Sequence, residues 1–217
     1  MPLFKTINLS RSVGTSSQIL VWKITESYEQ LFEEVQLNEK SLQRLNGMKS
    51  QLHQRAFLSV RKLLYEAGYS DFDLHYDETG KPHLMDKKFV SISHSHNFST
   101  IIISNQKAGI DIEMQREKII RIANKFVNEK ELNRLQSFDT QDYIKKLTVK
   151  WGAKEAIFKI QNEPGISFKD HICVNSFEIK DKTTIAILEI ENIKHQFSIY
   201  FEEFENFTLV YAFEKSV

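Results

Sequence analysis

The period of the apolar positions changes several times along this chain. Residues 18–24 are apolar, partly β-branched and followed by Thr25-Glu26, which predicts a strand. Helical spacing then predicts helices over 28–35 and 39–45. The clearest early helix is 50–67, where Phe57, Val60, Leu63 and Leu64 share a face and Gly68 supplies a stop. Residues 72–76 predict a short strand and 77–82 a turn. Two further strands are predicted over 89–93 and 100–104, joined by the polar, loop-like run His94-Ser95-His96-Asn97-Phe98-Ser99. Residues 108–113 predict another strand, 119–126 and 129–138 short helices, and 141–161 a long helix. From 171 to 213 the chain alternates in four strand-like runs, near 172–179, 184–190, 196–203 and 207–213. The order is mixed α and β, with no long linker, low-complexity tract or readable internal repeat.

Composition narrows the function classes. A chain of 217 residues with 41% hydrophobic and 27% charged side chains can bury a substantial core. Its 29 basic and 29 acidic side chains cancel, so no global nucleic-acid footprint is present and any anion site must be a local cluster. The single Cys173 excludes an internal disulfide framework and fits a reducing compartment. The run Met1-Pro2-Leu3-Phe4-Lys5 lacks the apolar core of a secretory signal, and no apolar stretch reaches the ~20 residues of a membrane span. The expected location is cytoplasmic.

The most specific chemistry lies in two segments. The first is Gly109-Ile110-Asp111-Ile112-Glu113. Residues two apart on a strand share a face, so Asp111 and Glu113 project together while Ile110 and Ile112 face the other way. Two such carboxylates repel unless a cation, a proton or a donor lies between them, and the plain alternative is a solvated strand. The second segment is Trp151-Gly152-Ala153-Lys154-Glu155-Ala156-Ile157-Phe158-Lys159. On that helix Ile144, Leu147, Trp151 and Phe158 form a stripe that also contains Glu155. A carboxylate there is costly without a partner, and a Glu155–Lys159 pair is the structural alternative. Asp111, Glu113 and Glu155 are hard oxygen donors without His or Cys companions, a set that suits Mg²⁺ bridging carboxylates to phosphates. His94 and His96 lack a third soft ligand nearby, so zinc is disfavoured. Ser93 and His94 at a strand end suit a phosphate, as does Lys81 in Gly80-Lys81-Pro82; each is otherwise a solvated side chain.

Taken together, Gly80-Lys81-Pro82, Ile92-Ser93-His94-Ser95, Gly109 to Glu113, Phe126 with Glu131, and Trp151-x-x-Lys154-Glu155-Ala156-x-x-Lys159 resemble the 4′-phosphopantetheinyl transferases, specifically the two-lobed Sfp type. The resemblance runs from about residue 38 to 160. It implies an α+β fold of two similar, pseudo-symmetric α/β lobes, near 1–105 and 106–217. Each lobe would be a small antiparallel sheet packed on a long helix, with the active site in the cleft between them. It also implies transfer of phosphopantetheine from coenzyme A to a serine of an apo acyl or peptidyl carrier protein, with 3′,5′-ADP released. Asp111, Glu113 and Glu155 are then the expected Mg²⁺ ligands. Lys159 is expected at the pyrophosphate, with Lys154 of the same motif among the coenzyme-binding residues, and Ser93 and His94 at the 3′-phosphate with Lys81 nearby. Lys40 and Arg55 match coenzyme-binding basic residues, and Glu131 matches an acid assigned as base. A basic strip of Arg116, Lys118 and Arg121 with Ile119 and Ile120 is the expected dock for an acidic carrier helix. Neither nucleic acid nor membrane is an expected partner, and a chain with both lobes needs no second copy, so a monomer is expected. Gln43 and Gly152 depart from the family pattern, the first where a second lysine is usual, the second where a small hydroxylated residue is. Two rivals share the ligand chemistry: a Mg²⁺-dependent pyrophosphohydrolase with no protein acceptor, and a scaffold that kept the fold without the reaction.

Overall fold

The computed structural model describes residues 2–12, 15–135, 137, 139–191 and 193–215. The chain divides into two compact units, Met1–Gln106 and Lys107–Val217. In the first, β1 (Leu3–Ser12) and β2 (Thr15–Lys23) precede three helices, α1 (Tyr28–Glu33), α2 (Glu39–Asn46) and α3 (Gln51–Glu66). The short strands β3 (Leu74–Tyr76) and β4 (Pro82–Leu84) pair with each other. Strands β5 (Phe89–Ser95) and β6 (Phe98–Ser104) complete an antiparallel sheet of order β1-β2-β6-β5. Helix α3 packs on that sheet, with Phe57, Leu58, Val60, Leu63 and Leu64 in one core with Leu20, Trp22, Ile101 and Ile103. Gly68, at φ +82°, ends the helix in a conformation open to glycine.

The second unit starts with β7 (Ala108–Met114). The helices α4 (Lys118–Ile122), α5 (Glu129–Asn133) and α6 (Thr140–Gln161) follow. Strands β8 (Ile172–Val174), β9 (Thr183–Ile190), β10 (Ile193–Phe204) and β11 (Phe207–Glu214) come last. All pairs are antiparallel in the order β7-β11-β10-β9-β8, so the first strand lies at one edge beside the last. Asp139 caps α6, its carboxylate accepting from Asp142 N at 2.7 Å. The face turned to the sheet is Val149, Ala153, Ala156, Ile157 and Ile160, packed on Ala186, Phe197, Ile199 and Val210.

The fold is α+β, each unit holding an antiparallel sheet on a long helix, as expected. Several local readings need correction. Residues 94–99 are not a loop: β5 continues through Ser95, residues 96 and 97 make a tight turn with His96 at φ +51°, and β6 starts at Phe98. Strand β1 went unread because it is a half-buried edge in which the bulky Phe4 points outward. Residues 175–178 leave the sheet after only three residues of β8. The helix expected over 129–138 ends at Asn133, and Phe138 lies outside the described residues. Finally, α6 is not amphipathic. The stripe through Leu147 and Trp151 meets Phe126, the opposite stripe meets the sheet, and Lys146, Lys150 and Lys154 are buried as well.

Candidate active site

The backbone of β7 comes very close to α6. A Cβ placed on Gly109 would lie 2.0 Å from the carbonyl oxygen of Ala156, and one on Gly152 would lie 2.7 Å from Val210 Cγ2. Gly109 lets β7 meet the backbone of α6, and Gly152 lets the helix lie against the Val210 side chain of β11. The close approach at Gly109 places the acidic face of β7 beside Lys159 of α6.

Asp111 is buried at 4% exposure. Its Oδ1 accepts from Lys159 Nζ at 2.8 Å, and the same ammonium donates to Ile110 O at 3.0 Å. The helix lysine therefore pairs with the strand aspartate, not with Glu155 four residues before it. Glu113 accepts from Trp151 Nε1 at 3.3 Å. Burial, reinforced by Asp111 and Glu113 and opposed by Lys159, pushes the Glu155 carboxyl up to about 7. The three carboxylates thus share one electrostatic field with a single lysine beside them.

Among the described residues, no three His, Cys, Asp or Glu side chains are grouped so that they could hold a metal ion. Asp111, Glu113 and Glu155 are hard carboxylate donors, the ligand type magnesium takes. That ion keeps several waters and takes only one or two protein carboxylates beside substrate phosphates. Burial and the neighbouring Asp111 and Glu113 charges raise Glu155; a cation opposes that shift, and Lys159 supplies one positive charge at that point.

Other expected site residues fall elsewhere. Glu131 is 3% exposed and enclosed. Its Oε2 accepts from Lys154 Nζ at 2.7 Å, and its Oε1 from Lys150 Nζ at 3.1 Å and Val174 N at 3.0 Å. Lys154 also donates to Phe168 O at 2.8 Å and Ile172 O at 2.6 Å, which uses all three of its protons. Burial holds its ammonium below the usual lysine range, with Lys150 adding to the effect and Glu131 opposing it. Lys150 went unread in the sequence. Its signal was a second lysine one turn before Lys154, between the apolar residues Val149 and Trp151.

In the first unit, Ser93 is buried and His94 exposed on β5, and the His94 ring stands 6.2 Å from that of His53. Lys81 follows the turn whose Gly80 has φ +84°. Lys40 is exposed on α2 and lines a hollow of about 750 Å³ with Arg44, Phe72, Leu74 and Tyr76. Arg55 donates from Nε to Glu26 O at 2.8 Å and from Nη2 to Ile24 O at 3.2 Å, so it anchors the chain leaving β2. Arg116, Lys118 and Arg121 are exposed, while Ile119 and Ile120 are half-buried against the Phe126 cluster.

Gly152 allows a direct test of the approach of α6 to the sheet. Helix propensity alone favours serine over glycine by a few tenths of a kcal/mol. Overpacking against a stiff β-branched neighbour costs about 1–3 kcal/mol, and that effect is the larger. Gly152→Ser is therefore expected to lower the melting temperature. Val210→Ala, which removes the colliding methyl, should recover most of the loss in the double variant. Thermal melts of the four proteins give the coupling, and additive effects would show that the two residues do not collide.

Residues 107–212 match the family model described as the 4′-phosphopantetheinyl transferase superfamily. The chain is 29% identical over 177 residues to the 4′-phosphopantetheinyl transferase gsp of Aneurinibacillus migulanus, covering 82% of this chain and 64% of that protein. It is 29% identical over 99 residues to a protein of Synechocystis sp. provisionally named as a 4′-phosphopantetheinyl transferase, covering 42% and 40% of the two chains. The match spans less than two thirds of either relative.

Proposed function

We propose that this protein, whose residues 107–212 match the family model of the 4′-phosphopantetheinyl transferase superfamily, moves 4′-phosphopantetheine from coenzyme A to a serine of an apo acyl or peptidyl carrier protein. The observation that carries the reading is the contact of Lys159 with Asp111 beside Glu113 and Glu155, all within the matched segment. Asp111, Glu113 and Glu155 would hold Mg²⁺. Bound there, the ion would neutralise charge on the coenzyme pyrophosphate.

The serine oxygen attacks the phosphorus that carries pantetheine. The bond from that phosphorus to the bridging oxygen breaks, and 3′,5′-ADP leaves with the electron pair. Lys159, half-buried at the edge of the acidic cluster, stabilises the charge that grows on the departing phosphate. The serine proton passes to water, because Glu131 is enclosed by two ammonium groups and a backbone N–H. Ser93, His94, Lys81 and Lys40 are assigned to the coenzyme nucleotide, whereas Arg55 keeps its backbone anchor. Arg116, Lys118 and Arg121 form the strip that receives an acidic carrier helix. The enzyme in this reading is a cytoplasmic monomer. Among the described residues no helix is long and apolar enough to cross a membrane.

The decisive assay is the mass of an apo carrier incubated with coenzyme A and Mg²⁺. Wild type should add the phosphopantetheine mass. Asp111→Ala should fall by roughly a hundred-fold or more, since a metal ligand supports several kcal/mol of charge stabilisation. Full activity in that variant would reject the site. Turnover of coenzyme A that leaves the carrier unchanged would point instead to a hydrolase.

A further inference from the structure

Glu131 lies outside the acidic cluster, yet its contacts lead toward it. Lys150 and Lys154 stand one turn apart on α6, and Glu131 takes one with each carboxylate oxygen. The same two lysines hold the edge strand of the sheet. Lys150 donates to Val174 O at 2.7 Å and Lys154 to Ile172 O at 2.6 Å, while Val174 N donates to Glu131. Three successive elements, α5, α6 and β8, are thereby pinned in one register.

Lys154 extends the connection. Its bond to Phe168 O, at 2.8 Å, fixes the segment whose ring packs 5.6 Å from Trp151 and 5.8 Å from Phe158. Asn128, the cap of α5, adds a second tie to that segment by donating from Nδ2 to Lys169 O at 3.4 Å. Trp151 is clamped on its other side by Phe126, at 5.1 Å, and its indole N–H reaches Glu113 Oε1. An indole has one donor in one direction, so wherever Phe168 and Phe126 set the ring, they set the Glu113 carboxylate too.

We propose that Glu131 is a positioning residue for Glu113, acting through Lys154, Phe168 and Trp151, and takes no proton from the substrate. The proposal rests on the metal-site reading above. It removes Glu131 and Lys154 from direct contact with substrate and gives them the task of aiming a ligand. A side chain that orients a ligand in this way sets metal affinity, commonly by ten- to a hundred-fold, and leaves the saturated reaction largely intact.

The test needs a reporter other than turnover. The chain has two tryptophans, Trp22 and Trp151, so 5-fluorotryptophan labelling gives two ¹⁹F resonances, with Trp22 as an internal control in the first unit. Two variants keep the question open to either answer. Glu131→Asp retains the charge but shortens the reach. Glu131→Gln with Lys154→Met removes one charge of each sign, so the buried net charge is unchanged, and the glutamine carbonyl keeps an acceptor facing Lys150. Both are expected to shift the Trp151 resonance and spare that of Trp22. In a Mg²⁺ titration read on the Trp151 signal, both should raise the half-saturation concentration about ten-fold or more. At saturating Mg²⁺ the kcat of carrier modification should stay within about ten-fold of wild type, with KM for coenzyme A unchanged.

An unmoved Trp151 resonance in both variants would overturn the proposal. So would a large loss of kcat that saturating Mg²⁺ does not recover, because that is the behaviour of a missing base. Failure of the transferase reading shows differently, as a wild-type protein that adds no mass to any carrier while the Trp151 displacement persists.

Discussion

Glu155→Gln is expected to stop transfer and, at the same time, to make the metal-free protein more stable above pH 7. Both halves follow from the burial of Glu155 and, second, from the acidic groups of β7 beside it. The folded-state carboxyl is pushed up to about 7 from its ordinary 4.5, first by burial and then by Asp111. A group with a raised folded pKa supports the fold while it is protonated. That support is complete below pH 4.5 and is lost as the pH climbs through 7. Wild type without divalent cations should therefore lose melting temperature between pH 5 and pH 8. The glutamine variant, neutral throughout, should lose less, so the two curves separate as the pH rises. Melts in EDTA at several pH values measure this, and the difference between the proteins cancels the titration of every other group. Added Mg²⁺ should raise the wild-type melting temperature at pH 8 more than that of the variant, because a bound ion stabilises the state that holds it. Transfer by the variant should fall by roughly a hundred-fold or more. Parallel melting curves across the pH range would remove Glu155 from the cluster.

The acidic pair and its partner helix could be read in the sequence because each obeys a local period. Alternation along residues 108–113 put Asp111 and Glu113 on one face, and helical spacing put Glu155 and Lys159 on one side of 141–161. The pairing of Lys159 with Asp111 could not be read, since it depends on how closely a strand and a helix 48 positions apart approach each other. Local spacing offered Glu155 as the partner. The burial of the α6 lysines is hidden in the sequence for a related reason. On a helical wheel Lys146, Lys150 and Lys154 look like solvated positions. They are buried because Asp142 and Glu178 meet the first and Glu131 meets the other two. Of these acids, only Asp142 lies within a helical turn. The same distance in sequence concealed the enclosure of Glu131, which a family pattern alone offers as a base. The one-turn spacing of two lysines among apolar residues was the available sign that some carboxylate had to come to them.

Gly109→Ala should have the largest effect on folding. The added methyl would sit 2.0 Å from the carbonyl oxygen of Ala156 and 2.8 Å from its carbonyl carbon. Both are backbone atoms in the middle of α6, so no rotamer change can move them aside. Ordinary overpacking of a core costs about 1–3 kcal/mol and is absorbed by side chains. Here the helix itself must retreat from β7, and with it Val149, Ala153, Ile157 and Ile160 would lift from the sheet they cover. At about 2–4 °C per kcal/mol for a protein of this size, a drop of roughly 10 °C or more is expected, or failure to accumulate in soluble form. Gly47→Ala is the control, since a Cβ there meets nothing nearer than 3.5 Å and the fold should keep its stability within a few degrees. Circular-dichroism melts of both variants decide the matter. If Gly109→Ala melts like wild type, β7 and α6 do not approach as described. Asp111 and Lys159 would then lose the close packing that brings them together.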